Sequence, residues 1–281
     1  LGYYNSGVAV SDNLYDKFSN ITSIPNNKNS LKFGSVMGIV EDDKERLWIA
    51  TDGGGIDVYN PKNNNFSHIN SEDKSQYLGL TTDYIVTLFK DKNENIYAGS
   101  WDKGLFVLKN NEREFINYNN ENTLSKLKSN AVTCITEDSK GLIWIGTFFN
   151  GVHSFNPKTK VFKNYNSKVF ADNDLINVDI RTIYIDNENI IWIGTPYGLY
   201  KLEVLPNEEF KITSLKDRMT EEYKNPSNAN YILSIYEGSD KNIWIGTRGA
   251  GLCKYDRAND TYTWYNKLNG LNEENISAII E

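Results

Sequence analysis

The chain reads Asp138-Ser139-Lys140-Gly141-Leu142-Ile143-Trp144-Ile145-Gly146-Thr147 near its middle. The second part of this stretch, Trp-Ile-Gly-Thr or a close variant, occurs five times, and its first residues are 47 to 52 positions apart. A period of this length is typical of arrays in which each repeat contributes several short strands, such as the blades of a propeller. The five copies begin at Trp48, Tyr97, Trp144, Trp192 and Trp244.

Each repeat contains four runs that favour β-strands, because they are short, rich in β-branched and aromatic residues, and bounded by Asn, Asp, Gly or Pro. The third repeat shows all four: Val132 to Glu137, the Trp-Ile-Gly-Thr string, Gly151 to Phe155, and Phe162 to Tyr165. Four strands joined by hairpin-length turns form one antiparallel blade. Since such a sheet is apolar on both faces, neighbouring blades must cover it. The sequence therefore predicts an all-β fold, a β-propeller of four-stranded antiparallel blades.

The repeat also sets the expected boundaries within one propeller segment over residues 1–281. Five complete blades are expected at about 31–70, 80–118, 129–165, 178–214 and 230–266. Residues 1–30 are expected to form a partial blade, and residues 275–281 resemble only the first strand of a further blade. We expect the chain to be a fragment of a larger propeller array.

Composition narrows the class of partner. The chain has 281 residues, of which 39% are hydrophobic and 13% aromatic, and its formal net charge is −7. The acidic balance argues against nucleic acid or an anionic membrane as the main partner, whereas carbohydrate suits an aromatic-rich surface. No apolar run is long enough to span a bilayer, so a membrane would be reached only through parts absent from this chain. The sequence predicts no cofactor and no metal site, because His68 and His153 stand alone, and it predicts two buried thiols at Cys134 and Cys253.

The pattern Asp-x-x-Gly-x-Ile-Trp-Ile-Gly-Thr, followed by Gly151 and by Asn156-Pro157-Lys158-Thr159, resembles the two-component regulator propeller repeat. The resemblance covers nearly the whole chain, with departures at Tyr97-Ala98-Gly99-Ser100 and in the short loop Pro196-Tyr197. It implies a non-catalytic, periplasmic sensor segment of a membrane histidine kinase, often of the hybrid type. It also implies oligosaccharide ligands released from polysaccharides, and tandem propellers in the whole protein. The incomplete repeats at the two ends of the array leave exposed edges, which a second propeller or a second copy of the chain is expected to cover.

Two recurring features are interpreted as structural. The repeated aromatic residue is expected to fill the gap between blades, because it recurs at one position in a strand that looks buried. The acids that precede the hairpin turns are expected to accept hydrogen bonds from backbone N–H groups two residues on. These acids are Asp42, Asp91, Asp138 and Asp186.

The loops between second and third strands differ from blade to blade, and they supply the candidate ligand-binding residues. Aromatic rings stack on the C–H faces of sugars, while amides, carboxylates and guanidinium groups bind vicinal hydroxyls. Arg181, on a predicted inner strand, is expected either to bind an anionic group or to form a buried ion pair. The loop candidates are Asp52, Trp101, Asp102, Lys103, Phe148, Phe149, Asn150, Tyr197 and Arg248. Ordinary loop variation, or an interface with a second propeller, would also explain these differences.

Two other functions remain open from sequence. A propeller enzyme acting on carbohydrate, a lyase or a glycosidase, would need two converging carboxylates or an acid–base pair. A protein-binding scaffold would present a flat, apolar loop face. The carboxylates available to an enzyme are Asp52, Glu72, Asp83, Asp102 and Asp179.

Overall fold

In the computed structural model, five four-stranded antiparallel sheets follow one another along the chain, and each sheet pairs its strands in sequence order. The structure describes residues 2–3, 7–11, 18–121, 127–165, 179–205, 210–215, 218–219, 223 and 229–281. Parts of the predicted partial blade at 1–30 and of the blade at 178–214 therefore lie outside the described residues.

The strands fall into four sets according to their place in the blade. The first strands are β4 Val36–Glu41, β8 Ile85–Lys90, β12 Val132–Glu137, β16 Thr182–Ile185 and β20 Ile232–Glu237. The second strands are β5 Leu47–Thr51, β9 Ile96–Ser100, β13 Ile143–Thr147, β17 Ile191–Thr195 and β21 Ile243–Thr247. The third strands are β6 Gly55–Asn60, β10 Leu105–Leu108, β14 Val152–Asn156, β18 Gly198–Val204 and β22 Leu252–Asp256. The fourth strands are β7 Asn65–Ile69, β11 Phe115–Tyr118, β15 Val161–Tyr165, β19 Phe210–Ser214 and β23 Thr261–Tyr265.

A smaller, three-stranded sheet precedes these five. It consists of β1 Gly2–Tyr3, β2 Gly7–Ser11 and β3 Phe18–Ile21. The sequence predicts β2 and β3 as third and fourth strands, and the structure adds β1. Tyr3 of β1 pairs with Gly7 of β2, just as Thr195 at the end of a second strand pairs with Gly198 at the start of a third strand. β1 therefore corresponds to a second strand.

Residues 275–281, predicted as a first strand, lie beside the fifth sheet without forming a strand. The N–H of Ile276 donates to the carbonyl of Thr247 at 2.9 Å, and Ser234 Oγ donates to the carbonyl of Ile276 at 2.9 Å. The equivalent bond in an earlier repeat runs from Ile180 N to Thr147 O. A strand needs a continuous ladder of backbone bonds with a neighbour, and these single contacts do not supply one. A 3₁₀ turn at Lys267–Asn269 precedes this segment.

The described chain divides into two compact units. Unit 1 comprises Leu1–Ile135 and Lys160–Phe162, and unit 2 comprises Thr136–Thr159 and Lys163–Glu281. Each unit has its own buried apolar cluster, built around Trp48 and Phe106 in unit 1 and around Trp192 and Met219 in unit 2. Both cysteines are free; Cys253 is buried as predicted, whereas Cys134 is only half-buried. No helix in the described parts is long and apolar enough to cross a bilayer.

A glycine begins or immediately precedes each third strand because the backbone there approaches the fourth strand closely. Gly104 has φ of +82°, and a Cβ atom on it would lie 2.3 Å from the carbonyl oxygen of Tyr118. The residue that ends the second strand fixes the same turn, since Ser100 Oγ donates to the carbonyl of Gly104 at 3.0 Å. Thr147 makes the equivalent bond to Gly151 at 2.8 Å. The Thr or Ser and the Gly therefore give four of the five loops one backbone shape, while the shorter loop of the fourth repeat has Gly198 at φ of +154°.

Candidate functional site

A carboxylate and an aromatic ring six residues later close the turn between first and second strands. Asp138 Oδ1 accepts from the N–H groups of Lys140 and Leu142, both at 2.9 Å, and Asp138 Oδ2 accepts from Trp144 Nε1 at 3.0 Å. We call this arrangement the Asp–aromatic clamp. The other clamps are Asp42–Trp48, Asp91–Tyr97 and Asp186–Trp192.

The clamp confirms that the repeated acids and aromatic residues are structural. Trp144 and Trp192 are 1% exposed and Tyr97 is fully buried, so these rings do not stack on ligands. The sequence predicted the hydrogen bonds from the backbone to the acid but not the bond from the aromatic ring. The constant spacing of six residues between the acid and the aromatic residue could have indicated that bond. The fifth repeat has Gly238 at the place of the acid, and there Trp244 is only half-buried.

The opposite ends of the second strands carry the predicted binding residues. In unit 1, the N–H of Trp101 donates to the carbonyl of Tyr84 at 3.2 Å, and Asp52 forms a backbone bridge with Tyr84. Asp102 Oδ1 accepts from Thr82 Oγ1 at 2.8 Å. The rings of Tyr84 and Trp101 are 52% and 36% exposed. Asp52, Tyr84, Trp101 and Asp102 therefore form one polar and aromatic group, which we call the unit 1 tip cluster.

The sequence named three members of the unit 1 tip cluster and missed Tyr84. Tyr84 immediately precedes β8 and lay inside a connection that carries no repeated signal. Lys103, also predicted, is exposed beside the cluster; its N–H donates to Ser100 Oγ at 3.0 Å.

A second group in unit 2 brings together three predicted residues from different repeats. The guanidinium carbon of Arg181 lies 5.6 Å from the centroid of the Tyr231 ring and 5.9 Å from that of Phe148. The guanidinium carbon of Arg248 lies 5.2 Å from the centroid of the same Tyr231 ring. Arg181 Nη2 donates to Asp179 Oδ2 at 3.0 Å. We call Phe148, Asp179, Arg181, Tyr231 and Arg248 the unit 2 tip cluster.

Backbone bonds at the strand ends position the unit 2 tip cluster. β16 begins at Thr182, and just before it the N–H of Arg181 donates to the carbonyl of Gly194 at 2.9 Å. The N–H of Arg248 donates to the carbonyl of Tyr231 at 2.9 Å, which places Arg248 next to the ring. Burial raises the pKa of Asp179, and the charge of Arg181 opposes that rise. Arg181 and Asp179 form an ion pair whose side chains are 31% and 15% exposed.

The remaining predicted residues of unit 2 lie on nearby loops. Phe149 is 55% exposed and has φ of +70°, and its ring meets the Phe148 ring edge-on with centroids 4.1 Å apart. Asn150 is half-buried, and its carbonyl accepts from Asn164 Nδ2 at 3.2 Å. Tyr197, on the short turn before β18, is 57% exposed.

Three of the five carboxylates open to an enzyme are engaged in other bonds. Asp83 Oδ1 accepts from the N–H of Ser71 at 2.7 Å, while Asp102 and Asp179 accept from Thr82 and Arg181. Glu72 is an exposed residue of the connection after β7. In the part of the chain that the structure describes, no group of three His, Cys, Asp or Glu residues is placed to hold a metal ion.

A buried Asp–His pair in unit 1 was not predicted. His68 Nδ1 lies 2.6 Å from Asp57 Oδ1, and His68 Nε2 lies 2.8 Å from the carbonyl oxygen of Lys28. When Asp57 is ionised, both ring nitrogens face acceptors, and only the protonated imidazole satisfies both contacts. The hydrogen bond with Asp57 raises the pKa of His68, and burial raises the pKa of Asp57. The sequence feature that could have indicated this pair is the charged residue Asp57 in the third strand. The equivalent residues of other repeats include Phe106 and Tyr200.

Comparison with known proteins identifies the repeat. Residues 126–149, 174–197 and 226–249 match the family model of the two component regulator propeller. The chain carries two-component regulator propeller repeats. Each of these three repeats ends on a predicted binding residue or next to one, at Phe149, Tyr197 and Gly249. The repeats also confirm the resemblance that the sequence motif predicted.

Solved structures are similar over most of the chain. The extracellular domain of a protein described as a hybrid two component system of B. thetaiotaomicron matches with a TM-score of 0.77 and 21% identity, covering 99% of this chain and 35% of that one. A second such domain from the same organism gives 0.69 and 22%, covering 95% and 34%. Virginiamycin B lyase from Staphylococcus aureus gives 0.58 and 15%, covering 82% and 69%.

These identities establish the fold alone, and the fold is the predicted β-propeller. The chain spans about a third of the length of the two extracellular domains. No curated protein matches the sequence.

Proposed function

We propose that this chain is a ligand-sensing segment of an extracytoplasmic two-component receptor, and that its ligands are oligosaccharides released from polysaccharides. The two-component regulator propeller repeats and the likeness to extracellular domains of two component systems support the sensor part. The proposal places the segment in the periplasm and makes it non-catalytic. A membrane helix and a histidine kinase, on parts of the protein outside this chain, complete the proposed receptor.

One observation carries the oligosaccharide part of the proposal. The repeat buries its constant aromatic residues in the Asp–aromatic clamps, yet it exposes unlike aromatic residues at the loop ends of the same strands. Trp101, Phe149 and Tyr197 are between 36% and 57% exposed although each follows a fully buried second strand. Exposed aromatic rings beside carboxylates, amides and guanidinium groups offer both interactions that sugars need, stacking and hydrogen bonds to hydroxyls.

The proposed signal is a change in packing against a partner. A ligand shifts an equilibrium between two arrangements only by the difference in its affinity for them. The loop ends fit this role because loops on a rigid scaffold can contact both a ligand and a second propeller or a second copy of the chain.

Thermal unfolding of the whole chain, with and without oligosaccharides from several plant and host polysaccharides, tests the proposal. A true ligand raises the melting temperature in a saturable way. Trp101→Ala should remove that rise for ligands of the unit 1 tip cluster while leaving the melting temperature without ligand unchanged. Ile116→Ala is the matched control, because Ile116 on β11 is also 36% exposed but lies outside the loop ends.

Two results would contradict the proposal. If no oligosaccharide raises the melting temperature of the chain, the sugar-sensing role fails. If a sugar is cleaved during incubation with the chain, the segment is an enzyme instead, and the products would show whether it is a lyase or a glycosidase.

A further inference from the structure

The unit 2 tip cluster concentrates positive charge in an acidic protein. Two guanidinium groups lie within 6 Å of the centroid of one ring, that of Tyr231. Asp179 pairs with Arg181, whereas the guanidinium group of Arg248 has no carboxylate partner among the described residues. The formal net charge of the whole chain is −7. The cluster therefore has a net charge of one positive unit, whereas the chain as a whole is negatively charged.

The fold itself does not require either arginine. Arg181 occupies a place at which the other repeats carry uncharged residues, Met37, Val86, Thr133 and Leu233. Arg248 follows the second strand at a place where the other repeats carry Asp52, Trp101, Phe148 and Pro196. The two cations are thus specific to the fourth and fifth repeats, and the contact through Tyr231 brings them together. Both cations therefore adjoin the same ring, and Asp179 neutralises only one of them.

Two buried atoms of the unit 2 tip cluster lack hydrogen-bond partners. Arg181 Nε has no acceptor, and Asp179 Oδ1 has no donor. Buried polar groups without partners cost free energy. Both atoms are closed to solvent, so a ligand pairs with them only when the side chains of Arg181 and Asp179 turn towards it. The cluster is short of one acceptor and one donor, in addition to its excess positive charge.

We propose that the unit 2 tip cluster binds a uronic acid residue of an acidic oligosaccharide, which deepens the function proposed above and rests on it. The carboxylate of the sugar accepts from the guanidinium groups of Arg181 and Arg248. The Asp179 carboxylate turns towards the sugar, and a neighbouring sugar hydroxyl then donates to its Oδ1. Tyr231 positions both arginines. A simple anion such as sulfate supplies acceptors only, whereas a uronic acid supplies the acceptor, the donor and the negative charge.

Titration calorimetry with the whole chain tests the assignment. The probes are trisaccharides of galacturonate and of glucuronate, and the same trisaccharides with each carboxyl group reduced to the alcohol. We expect a uronate trisaccharide to bind at least 10-fold more tightly than its reduced counterpart, and its affinity to fall as salt is raised. Loss of one charged hydrogen bond should weaken binding by about 10- to 100-fold in Arg248→Gln.

Two further variants separate binding from folding. Arg113→Gln removes the same charge from an exposed turn of unit 1 and should leave uronate affinity unchanged. Arg181→Lys keeps a positive charge beside Asp179 but removes Nε and the planar fork, so affinity should fall. Because Arg248 is exposed, the Arg248→Gln result stands even if Arg181→Lys fails to fold.

The outcomes distinguish the two proposals. Equal binding of the uronate and reduced trisaccharides, unaffected by Arg248→Gln, would overturn the uronate site and leave the oligosaccharide sensor intact. Binding of a sulfated neutral trisaccharide as tight as that of the uronates, with competition by inorganic sulfate, would overturn the carboxylate assignment. If no trisaccharide binds, acidic or neutral, both proposals fall.

Discussion

The two ends of each second strand follow different rules. At the turn that joins it to the first strand, four repeats use the same Asp–aromatic clamp with nearly the same distances. At the loop that leads to the third strand, a Thr or Ser hydroxyl donates to the carbonyl of the Gly that begins or precedes that strand in all five described repeats, but the side chains between them differ. The clamp end therefore serves folding, whereas the side chains of the loop end are free to differ and can serve recognition. Variants at the two ends should separate stability from binding.

The largest expected effect is on the clamp ring itself. Trp144→Ala should lower the free energy of unfolding by about 3–5 kcal/mol, because it empties a fully packed site and leaves Asp138 Oδ2 without its donor. Denaturant unfolding followed by circular dichroism measures the change. Trp101→Ala, at a loop end, should cost less than about 1 kcal/mol. Similar losses in the two variants would erase the distinction between the two ends.

Removal of the clamp acid should have the next largest effect. Asp138→Ala leaves Trp144 Nε1 and two backbone N–H groups without their acceptor, so we expect a loss of about 1–3 kcal/mol. The same unfolding experiment on Ser139→Ala, an exposed neighbour in the turn, should show a change within about 0.5 kcal/mol. A stable Asp138→Ala protein would mean that the turn does not depend on the carboxylate.

A smaller effect should appear as a pH dependence from the Asp57–His68 pair. The pKa of His68 is raised above its ordinary value of 6.5 in the folded chain, so its contribution to stability is complete below about pH 6.5. That contribution is lost as the pH rises through the higher pKa of the folded state. The melting temperature, measured from pH 6 to pH 9, should therefore fall over this range.

His68→Asn is the matched variant for the pH experiment. Asn occupies the position of His68 in two other repeats: Asn117 pairs with Phe106, and Asn164 is hydrogen-bonded to His153. An Asn side chain can still donate to Asp57 but does not titrate, so the fall should be absent. An identical fall in both proteins would assign the pH dependence to other groups.

The smallest effect should come from the loop end of the fourth repeat. Tyr197→Ala removes a ring that is 57% exposed, and we expect the unfolding free energy to change by less than about 0.5 kcal/mol. Tyr200, three residues later on β18, is 2% exposed, and Tyr200→Ala should cost several times more. If Tyr197→Ala proved as destabilising as Tyr200→Ala, the loop end would be part of the scaffold.

Comparison of particular residues shows how far sequence reasoning reached. The limits of β12 agree with the predicted run Val132 to Glu137, because that run is bounded by a turn signal that acts locally. The end of the chain did not follow the same rule. Residues 275–281 have the composition of a first strand, but a strand forms only with a partner, and composition does not supply one.

The candidate sites show the same limit. The sequence indicates Arg181 and Arg248 for separate reasons: Arg181 is a charged residue on a predicted inner strand, and Arg248 is a residue of a variable loop. Their shared contact with Tyr231 was not foreseen, because Tyr231 belongs to neither motif and approaches Arg181 only through packing between repeats. Asp57 and His68 were likewise missed as a pair until the β6–β7 register placed them opposite each other.

What the sequence determined by itself is the blade: four strands, their turns, and the acid six residues before the buried ring. All of these depend on hydrogen bonds within one hairpin, and those bonds are set by spacing along the chain. What only the tertiary structure decided is which loop side chains meet, such as Arg181 with Arg248 around Tyr231. Such meetings depend on how one sheet stacks on the next, and that stacking joins residues far apart in sequence.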